Sequence, residues 1–487
     1  MPASKPLDRD QLLARLRPFG QEHLVAFWDR LDEVQRARLA AEIAGIDLAQ
    51  IARLVAAGDS GESVRMLAAR AHSPPAIRLG NPRNRFSPAE AQRRGQAALA
   101  QGAIGAMLVA GGQGTRLGFP HPKGMYPIGP VSGKTLFQLH AEKIRAVSRR
   151  YGATIPLYVM TSPATHEPTA EFFDRHRNFG LAPDAVALFC QGTMPAVDAA
   201  TGRILLERPD HVALSPDGHG GMLAAAARAG IFDDCRRRGI QHLFYFQVDN
   251  PLVDVCGPEF LGYHLLAASE MTTQVIAKRF PTERVGNVVE VDGRLHVIEY
   301  SDLPDDVAER RGPDGSLAIW AGSIAVHAFA VEFLERMAAQ ADSLPFHRAR
   351  KKVPYVDLVT GATVHPNEPN AIKFERFIFD LMPAARNALV VEVDAARQFA
   401  PLKNAPGQKS DTPESVRAQM VALYTEWLVR AGAEVDAGVA VEISPLWALD
   451  AEEVARRLPA PCRISQPTYF ADADSPLGSS GSACPPQ

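Results

Sequence analysis

The chain has 487 residues, 46% hydrophobic and 22% charged, so a single core is not expected and two or three domains fit the length. A formal net charge of -3 gives no electrostatic reason to expect nucleic acid or an anionic membrane as partner, and no apolar run approaches the roughly 20 residues of a membrane span. The five cysteines, at 190, 235, 256, 462 and 484, are odd in number and include no C-x-x-C pair, which predicts a reducing cytoplasm, no disulfide framework and no structural zinc.

The first residues run into charged, helix-like sequence rather than a signal-peptide core. From about residue 9 to 58 the pattern is helical: Leu24, Phe27, Trp28 and Leu31 share one face, Leu48, Ile51, Leu54 and Val55 another, and Gly45 separates the second and third helices. Aromatic residues at that spacing belong to a core, so a packed helical appendage is expected. The stretch from His72 to Arg85, rich in proline and polar residues, reads as a domain connection.

Ala103 to Ala110 is apolar and uncharged, the pattern of a buried strand of a parallel sheet. The chain then turns through Gly111, Gly112 and Gly114, where missing Cβ atoms let consecutive amide N–H groups close around an anion such as phosphate. The spacing Gly112-x-Gly114-x-x-x-Gly118 is one residue too long for a dinucleotide fingerprint, and Gly133-Lys134-Thr135 has Ile128 where a Walker A loop needs its first glycine. What remains is a loop carrying two cations, Arg116 and Lys123, which suits a triphosphate under nucleophilic attack. From the glycines alone, an ordinary strand-to-helix turn with solvated cations fits as well.

Strand-like and helix-like stretches alternate from there, the pattern of a doubly wound α/β domain. A helix is predicted from Thr135 to Arg150 with Gly152 as its stop, then a strand Ile155 to Met160, a helix Glu167 to Asn178 and a strand Val186 to Phe189 leading to Gln191. Helices Met222 to Gly230 and Ile231 to Arg238 and a strand His242 to Val248 deliver Asp249 at a strand end. Ligands gather at the carboxyl ends of strands in such sheets, which puts Gln191 and Asp249 on the rim of the glycine loop. Asp249 suits magnesium, which accepts one carboxylate with waters and phosphate oxygens, and it equally suits a turn cap. A second glycine cluster, Ser215 to Gly221, contains His219, which has no partner at metal-ligand spacing. Val390 to Val393 and Val439 to Ile443 read as strands, Pro413 to Ala431 as an amphipathic helix, and from Ser465 the chain reads as a tail, disordered from about 470.

Several motifs occur in order: Leu108 to Gly118, Pro122-Lys123-Gly124-Met125-Tyr126, Pro216 to Gly221, Val248-Asp249-Asn250, Val297 to Ser301, Lys351 to Asp357, Ile372 to Asp380 and Phe399 to Ala405. Together they resemble the eukaryotic-type UDP-sugar pyrophosphorylases, most closely the UDP-N-acetylhexosamine branch, over roughly residues 20 to 420. The resemblance implies a central Rossmann-like, doubly wound mixed sheet of the nucleotide-diphospho-sugar transferase type. It implies an N-terminal helical domain over 1–100, a catalytic domain over 101–385 and a C-terminal domain over 386–487.

The implied activity is uridylyl transfer: UTP and a sugar 1-phosphate give a UDP-sugar and pyrophosphate, with Mg2+ as cofactor. The resemblance assigns Gly111, Gly112 and Arg116 to the nucleotide and its phosphates, Gln191 and Gly218 to uracil, Lys123 to the UTP phosphates, and Lys403 to the phosphate between sugar and nucleotide. It assigns Asp249 to magnesium, Gly286 and Glu299 to sugar hydroxyls, and Lys373 to the neighbourhood of the phosphates. Arg116, Lys123 and Lys403 are thus the expected catalytic cations. Two positions depart from the acetylhexosamine pattern. His219 stands where that branch has asparagine and the UDP-glucose enzymes have Gly-His-Gly, and Ser323 replaces a second asparagine close to the sugar. N-acetylglucosamine 1-phosphate is the first expected substrate, with glucose 1-phosphate or a broad specificity as the alternative. A nucleotide-binding module without catalysis is the alternative of another class, against which the pair Lys123 and Lys403 argues. The expected state is a cytoplasmic monomer or weak homo-oligomer, with no nucleic acid or membrane partner.

Overall fold

The computed structural model describes residues 7–58, 61–340, 344–459 and 461–472. By contacts the chain divides into two units rather than three consecutive segments: Met1–Met66 with Gln191–Ala224 and Asp342–Asp380, and Leu67–Cys190 with Ala225–Ala341 and Leu381–Gln487. The reason lies in the apolar faces. The N-terminal helices complete their core with residues from later in the chain, so Leu24, Leu39, Ile43 and Ile51 share a cluster with Val197, Ile204, Val212, Ile372 and Phe374.

The larger unit is built on a nine-stranded mixed sheet. Its strands are β1 (Ile104–Val109), β2 (Leu157–Thr161), β3 (Val186–Cys190), β4 (His242–Gln247), β5 (Met271–Ala277), β6 (Gly286–Val291), β7 (Arg294–Ile298), β8 (Ala321–Ala330) and β9 (Leu389–Glu392). The order β7-β6-β8-β4-β1-β2-β3 puts the uncharged strand β1 in the interior, parallel to β4 and β2, with Leu108 opposite Phe246 and Val159. Apolar runs without alternation are what burial on both faces demands. The long strand β8 runs antiparallel to β4 and also pairs with β6 and β5, while β9 adds parallel to β5. The stretch expected to be a domain connection joins this unit: the His72 N–H donates to the Glu290 carbonyl and the Ile77 N–H to the Val390 carbonyl, both at 2.9 Å.

Helices cover the sheet. Helix α1 is Pro88–Ala100, α2 is Leu136–Tyr151, α3 is Pro258–Leu266 and α4 is Pro413–Arg430. The predicted limits of α2 agree closely: Thr135 caps its start by accepting the Gln138 N–H at 3.2 Å, and Gly152 ends it with φ of 67°. Helices α1 and α3 pack backbone to backbone, because a Cβ on Gly95 would lie 1.8 Å from the Pro258 carbonyl oxygen and one on Gly262 1.7 Å from that of Ala91. Only glycine allows that crossing.

After α4, two pairs of short parallel strands form, Ala433–Val435 with Cys462–Ile464 and Val441–Ile443 with Thr468–Phe470. The tail expected from Ser465 therefore starts later, since Phe470 is buried with its ring tilted against that of Trp447, centroids 5.1 Å apart. The segment expected to be disordered from about 470 lies outside the described residues beyond 472. Cys190, Cys235 and Cys256 form no disulfide, whereas Cys462 is disulfide-bonded, a bond that the expectation of no disulfide framework did not include. No described helix is long and apolar enough to cross a membrane.

In the smaller unit the helices are Arg9–Leu16, Glu33–Gly45 and Leu48–Ala56, each capped by an aspartate, Asp8, Asp32 and Asp47. Leu24, Phe27 and Leu31 are buried as expected, but their stretch is a series of short 3-10 turns instead of one regular helix. A three-stranded sheet of His347–Lys351, Ala371–Glu375 and Val197–Asp198 backs them.

Candidate active site

In the sheet unit, β1 ends at Val109 and the glycine loop follows at its carboxyl edge. The loop is closed by its own main chain. The Gly114 N–H donates to the His121 carbonyl at 2.9 Å and the Lys123 N–H to the Gly112 carbonyl at 3.0 Å. A Cβ on Gly114 would lie 2.7 Å from the Phe119 carbonyl oxygen, and one on Gly124 2.2 Å from the Phe137 ring. These two glycines are needed for closure. Gly112 differs, because nothing stands within 4 Å of the Cβ it lacks, so that space is open for a ligand to approach its backbone. Ser162, which follows β2, donates its hydroxyl to the Gly111 carbonyl at 2.8 Å and fixes the start of the loop. Arg116 is exposed on the short 3-10 turn Thr115–Leu117.

Lys123 and Asp249 meet beside this loop, Nζ to Oδ2 at 3.5 Å, with side chains only 19% and 12% exposed. Asp249 follows β4, the strand next to β1. Its main-chain oxygen accepts the Leu402 N–H at 2.8 Å, which brings Lys403 to the same turn. Asn250 secures the arrangement: its Nδ2 donates to the Gln398 carbonyl at 2.7 Å and its Oδ1 accepts the Ala400 N–H at 3.0 Å. Beyond Lys403, the N–H groups of Lys403 and Asn404 both donate to the Asp411 carbonyl at 2.9 Å. Burial pushes the Asp411 carboxyl up while Lys403 and Arg279 pull it down. The Asp249 carboxylate thus pairs with Lys123, and its main-chain oxygen holds the segment that carries Lys403.

A second group forms on β6, β7 and β8. Gly286 is opposite Ser323 in register, and a Cβ on Gly286 would lie 3.5 Å from Glu299 Oε1 and 3.8 Å from Ser323 Cβ. Ser323 Oγ accepts the Ala325 N–H at 3.3 Å. Beneath these strands Lys278 is buried, donating to Asn287 Oδ1 at 2.6 Å and to the Pro281 carbonyl at 3.1 Å; desolvation brings its ammonium down to about 8. The expected sugar residues Gly286, Glu299 and Ser323 are thus brought together.

Gln191, Gly218, His219 and Lys373 belong to the smaller unit. Gln191 is buried and donates from Nε2 to the Gly218 carbonyl at 3.3 Å and to Asp217 Oδ1 at 3.4 Å. Gly218 has φ of 83°, and a Cβ there would lie 2.4 Å from the Arg376 carbonyl oxygen, the same oxygen that accepts the Gly220 N–H at 2.8 Å. The His219 ring stacks on Phe377 at 5.2 Å between centroids, and its Nδ1 accepts the Ile378 N–H at 3.3 Å. Burial lowers this imidazole to about 4, with His347 adding to the effect. Lys373 lies on the strand Ala371–Glu375 opposite Ala349.

Sequence reasoning missed Ser162, Asn250 and Asp411. Asn250 had a signal in its place beside Asp249; the other two had none, because their partners are remote in the chain.

The family model described as UTP--glucose-1-phosphate uridylyltransferase matches residues 70–410. The chain belongs to the UDPGP family. It is 41% identical over 437 residues to the UDP-N-acetylhexosamine pyrophosphorylase-like protein 1 of Homo sapiens, covering 86% of this chain and 85% of that protein. It is 40% identical over 358 residues to the UDP-N-acetylglucosamine pyrophosphorylase of Saccharomyces cerevisiae, covering 72% of this chain and 75% of that one. A crystal structure of a putative UDP-N-acetylglucosamine pyrophosphorylase from Entamoeba histolytica superposes with a TM-score of 0.75 at 31% identity, over 82% of this chain and all of that chain. The fold is that of the nucleotidyltransferase family that the sequence motifs resemble, and the chain is a member of that enzyme class.

Proposed function

We propose that this protein joins UTP to a sugar 1-phosphate, N-acetylglucosamine 1-phosphate first, giving a UDP-sugar and pyrophosphate. The observation that carries the reading is the pairing of Lys123 with Asp249, whose main chain anchors the segment that carries Lys403, beside a glycine loop at the carboxyl edge of a parallel sheet. The names of the human and yeast relatives support the acetylated sugar.

A phosphate oxygen of the sugar 1-phosphate attacks the α-phosphorus of UTP in line. The new P–O bond forms as the bond to the β-phosphate oxygen breaks, and pyrophosphate carries away the electron pair. No general base is required, because the attacking phosphate is already ionised. The protein's task is to bring two anions together and offset the charge of the departing one, which Lys123, Lys403 and Arg116 do as fixed cations. In this reading Gly111 and Gly112 offer main-chain amides to the phosphates, Gln191 and Gly218 hold uracil, Gly286 and Glu299 hold sugar hydroxyls, and Lys373 adds positive charge near the phosphates.

Asp249 offers one carboxylate beside the glycine loop, which suits magnesium with waters and phosphate oxygens as its other ligands, in competition with the Lys123 ammonium 3.5 Å away. When bound there, the ion would neutralise phosphate charge.

A second reading, glucose 1-phosphate as substrate, is favoured by the family description and by Ser323, whose short side chain is engaged with its own strand. Pyrophosphate release from UTP with N-acetylglucosamine, N-acetylgalactosamine and glucose 1-phosphates, beside dTTP as nucleotide control, separates the readings. Release with the acetylated sugars first is expected; binding of UTP with no release from any of them would leave only a nucleotide-binding module.

A further inference from the structure

Behind Gly286 and Glu299 the sheet unit holds a charge to which the proposed reaction gives no part. Lys278, the residue after β5, is 7% exposed, and Asn287 on β6 is 1% exposed. Burying an ammonium is costly, and an apolar side chain would fill the same volume without that cost. The backbone is nevertheless shaped to admit it. Gly322 on β8 stands opposite Ile276 on β5 and Asn287 on β6, and a Cβ there would lie 2.6 Å from Val285 Cγ2 and 3.3 Å from Lys278 Cγ, so the glycine leaves room for the lysine stem.

The ammonium fixes the loop that enters β6. Lys278 Nζ donates to the Pro281 carbonyl at 3.1 Å and to Asn287 Oδ1 at 2.6 Å, and within the same loop the Glu283 carboxylate accepts the Arg279 N–H at 2.7 Å. Its bond to Asn287 decides which way that amide faces. With Oδ1 on the ammonium, Nδ2 is turned to acceptors, and it donates to the Ile298 carbonyl at 3.2 Å and the Val285 carbonyl at 3.4 Å. Those carbonyls belong to the residues immediately before Glu299 and Gly286. The β6–β7 register has Asn287 opposite Ile298 as its last pair, so a side-chain amide ties the two strands where their ladder stops. On the other side of Glu299, its own carbonyl accepts the N–H groups of Asp302 at 3.0 Å and Leu303 at 3.1 Å.

We propose that Lys278 and Asn287 are positioning residues for the sugar: the ammonium orients the Asn287 amide, and the amide sets the separation of Gly286 and Glu299 that sugar hydroxyls meet. This role rests on the proposed uridylyl transfer, with Gly286 and Glu299 as the sugar contacts.

Pyrophosphate release by the full chain, with UTP and the sugar 1-phosphate that the wild type turns over fastest varied in turn, tests it in Lys278→Met, Asn287→Leu and the double variant. KM for the sugar 1-phosphate is expected to rise about tenfold in each single variant and by no more in the double, because the two act as one unit, while KM for UTP stays within about twofold. The double variant replaces an ion and its amide by two apolar side chains of similar volume, a change that folds tolerate, so its result decides even where a single variant fails to fold, which melting curves report. An unchanged KM for the sugar 1-phosphate, an equal rise in both KM values, or a double variant that does not fold makes the pair architectural and overturns the proposal. A wild type that turns over no sugar 1-phosphate removes the uridylyl-transfer reading itself, and this role falls with it.

Discussion

Lys123 Nζ lies 3.5 Å from Asp249 Oδ2, and the main-chain oxygen of the same aspartate accepts the Leu402 N–H, one residue before Lys403. Asp249 therefore pairs with one lysine through its side chain and anchors the segment of the other through its main chain. Lys123→Ala and Lys403→Ala are each expected to lower kcat by about 100-fold or more, the usual loss when a transition-state charge contact is removed. Lys403 is partly exposed, so melting should not change in Lys403→Ala. The double variant is expected to lose less than the product of the two, because both serve one charge. Steady-state pyrophosphate release measures all three; full turnover in Lys403→Ala would remove that residue from the site.

Two glycines should separate structure from binding. Gly112→Ala meets nothing within 4 Å, so melting should stay at the wild-type value while KM for UTP rises by about tenfold as the added methyl blocks the amides. Gly218→Ala combines φ of 83° with a 2.4 Å approach to the Arg376 carbonyl oxygen, and is expected to lose about 1–3 kcal/mol in denaturant unfolding. Equal stability of the two variants would contradict both assignments.

Ser323 faces Gly286 across β8 and β6 with Glu299 alongside. Ser323→Asn supplies a longer amide side chain, and is expected to raise the kcat/KM ratio for N-acetylglucosamine 1-phosphate over glucose 1-phosphate by about tenfold, the scale of one added polar contact. An unchanged ratio would place the choice between sugars elsewhere.

Lys134, in the sequence stretch that mimics a Walker loop, is buried against Glu142, with Nζ 2.7 Å from both carboxylate oxygens. Its role is architectural. Lys134→Met strands a buried carboxylate and is expected to cost about 3–5 kcal/mol, whereas Lys134→Met combined with Glu142→Leu recovers most of it. Chemical denaturation of the single and double variants provides the comparison.

Glu270 receives hydrogen bonds from both Arg336 nitrogens at 2.7 Å and from the Arg386 main chain at 2.7 Å. Arg336 first, then Arg386, holds its carboxyl down to about 2 against the opposing effect of desolvation. A depressed carboxyl stabilises the fold above its unfolded value near 4.5 and loses that contribution as pH falls toward 2. Glu270→Gln should therefore be less stable than the wild type at pH 7, with the difference shrinking between pH 4.5 and 2; a constant difference across that window would exclude this linkage.

Local chemistry is written in neighbouring residues, and the sequence alone determined such features. The uncharged run before Gly111 dictates a buried strand, Thr135 and Gly152 bracket a helix because one accepts an orphan N–H and the other tolerates a left-handed backbone, and the glycine loop declares itself by composition. Side chains at a fixed spacing meet wherever the local backbone is regular, so no distant information is needed. Tertiary structure alone decided that residues 9–56 form their core with strands near 197 and 372, that Thr468–Phe470 is a strand, that Ser162 clamps Gly111, and that Asp249 pairs with Lys123 and anchors the segment of Lys403. Each of those depends on closing a long loop of chain, whose entropic cost is repaid only by the whole sheet and core at once, and no short window of residues records it.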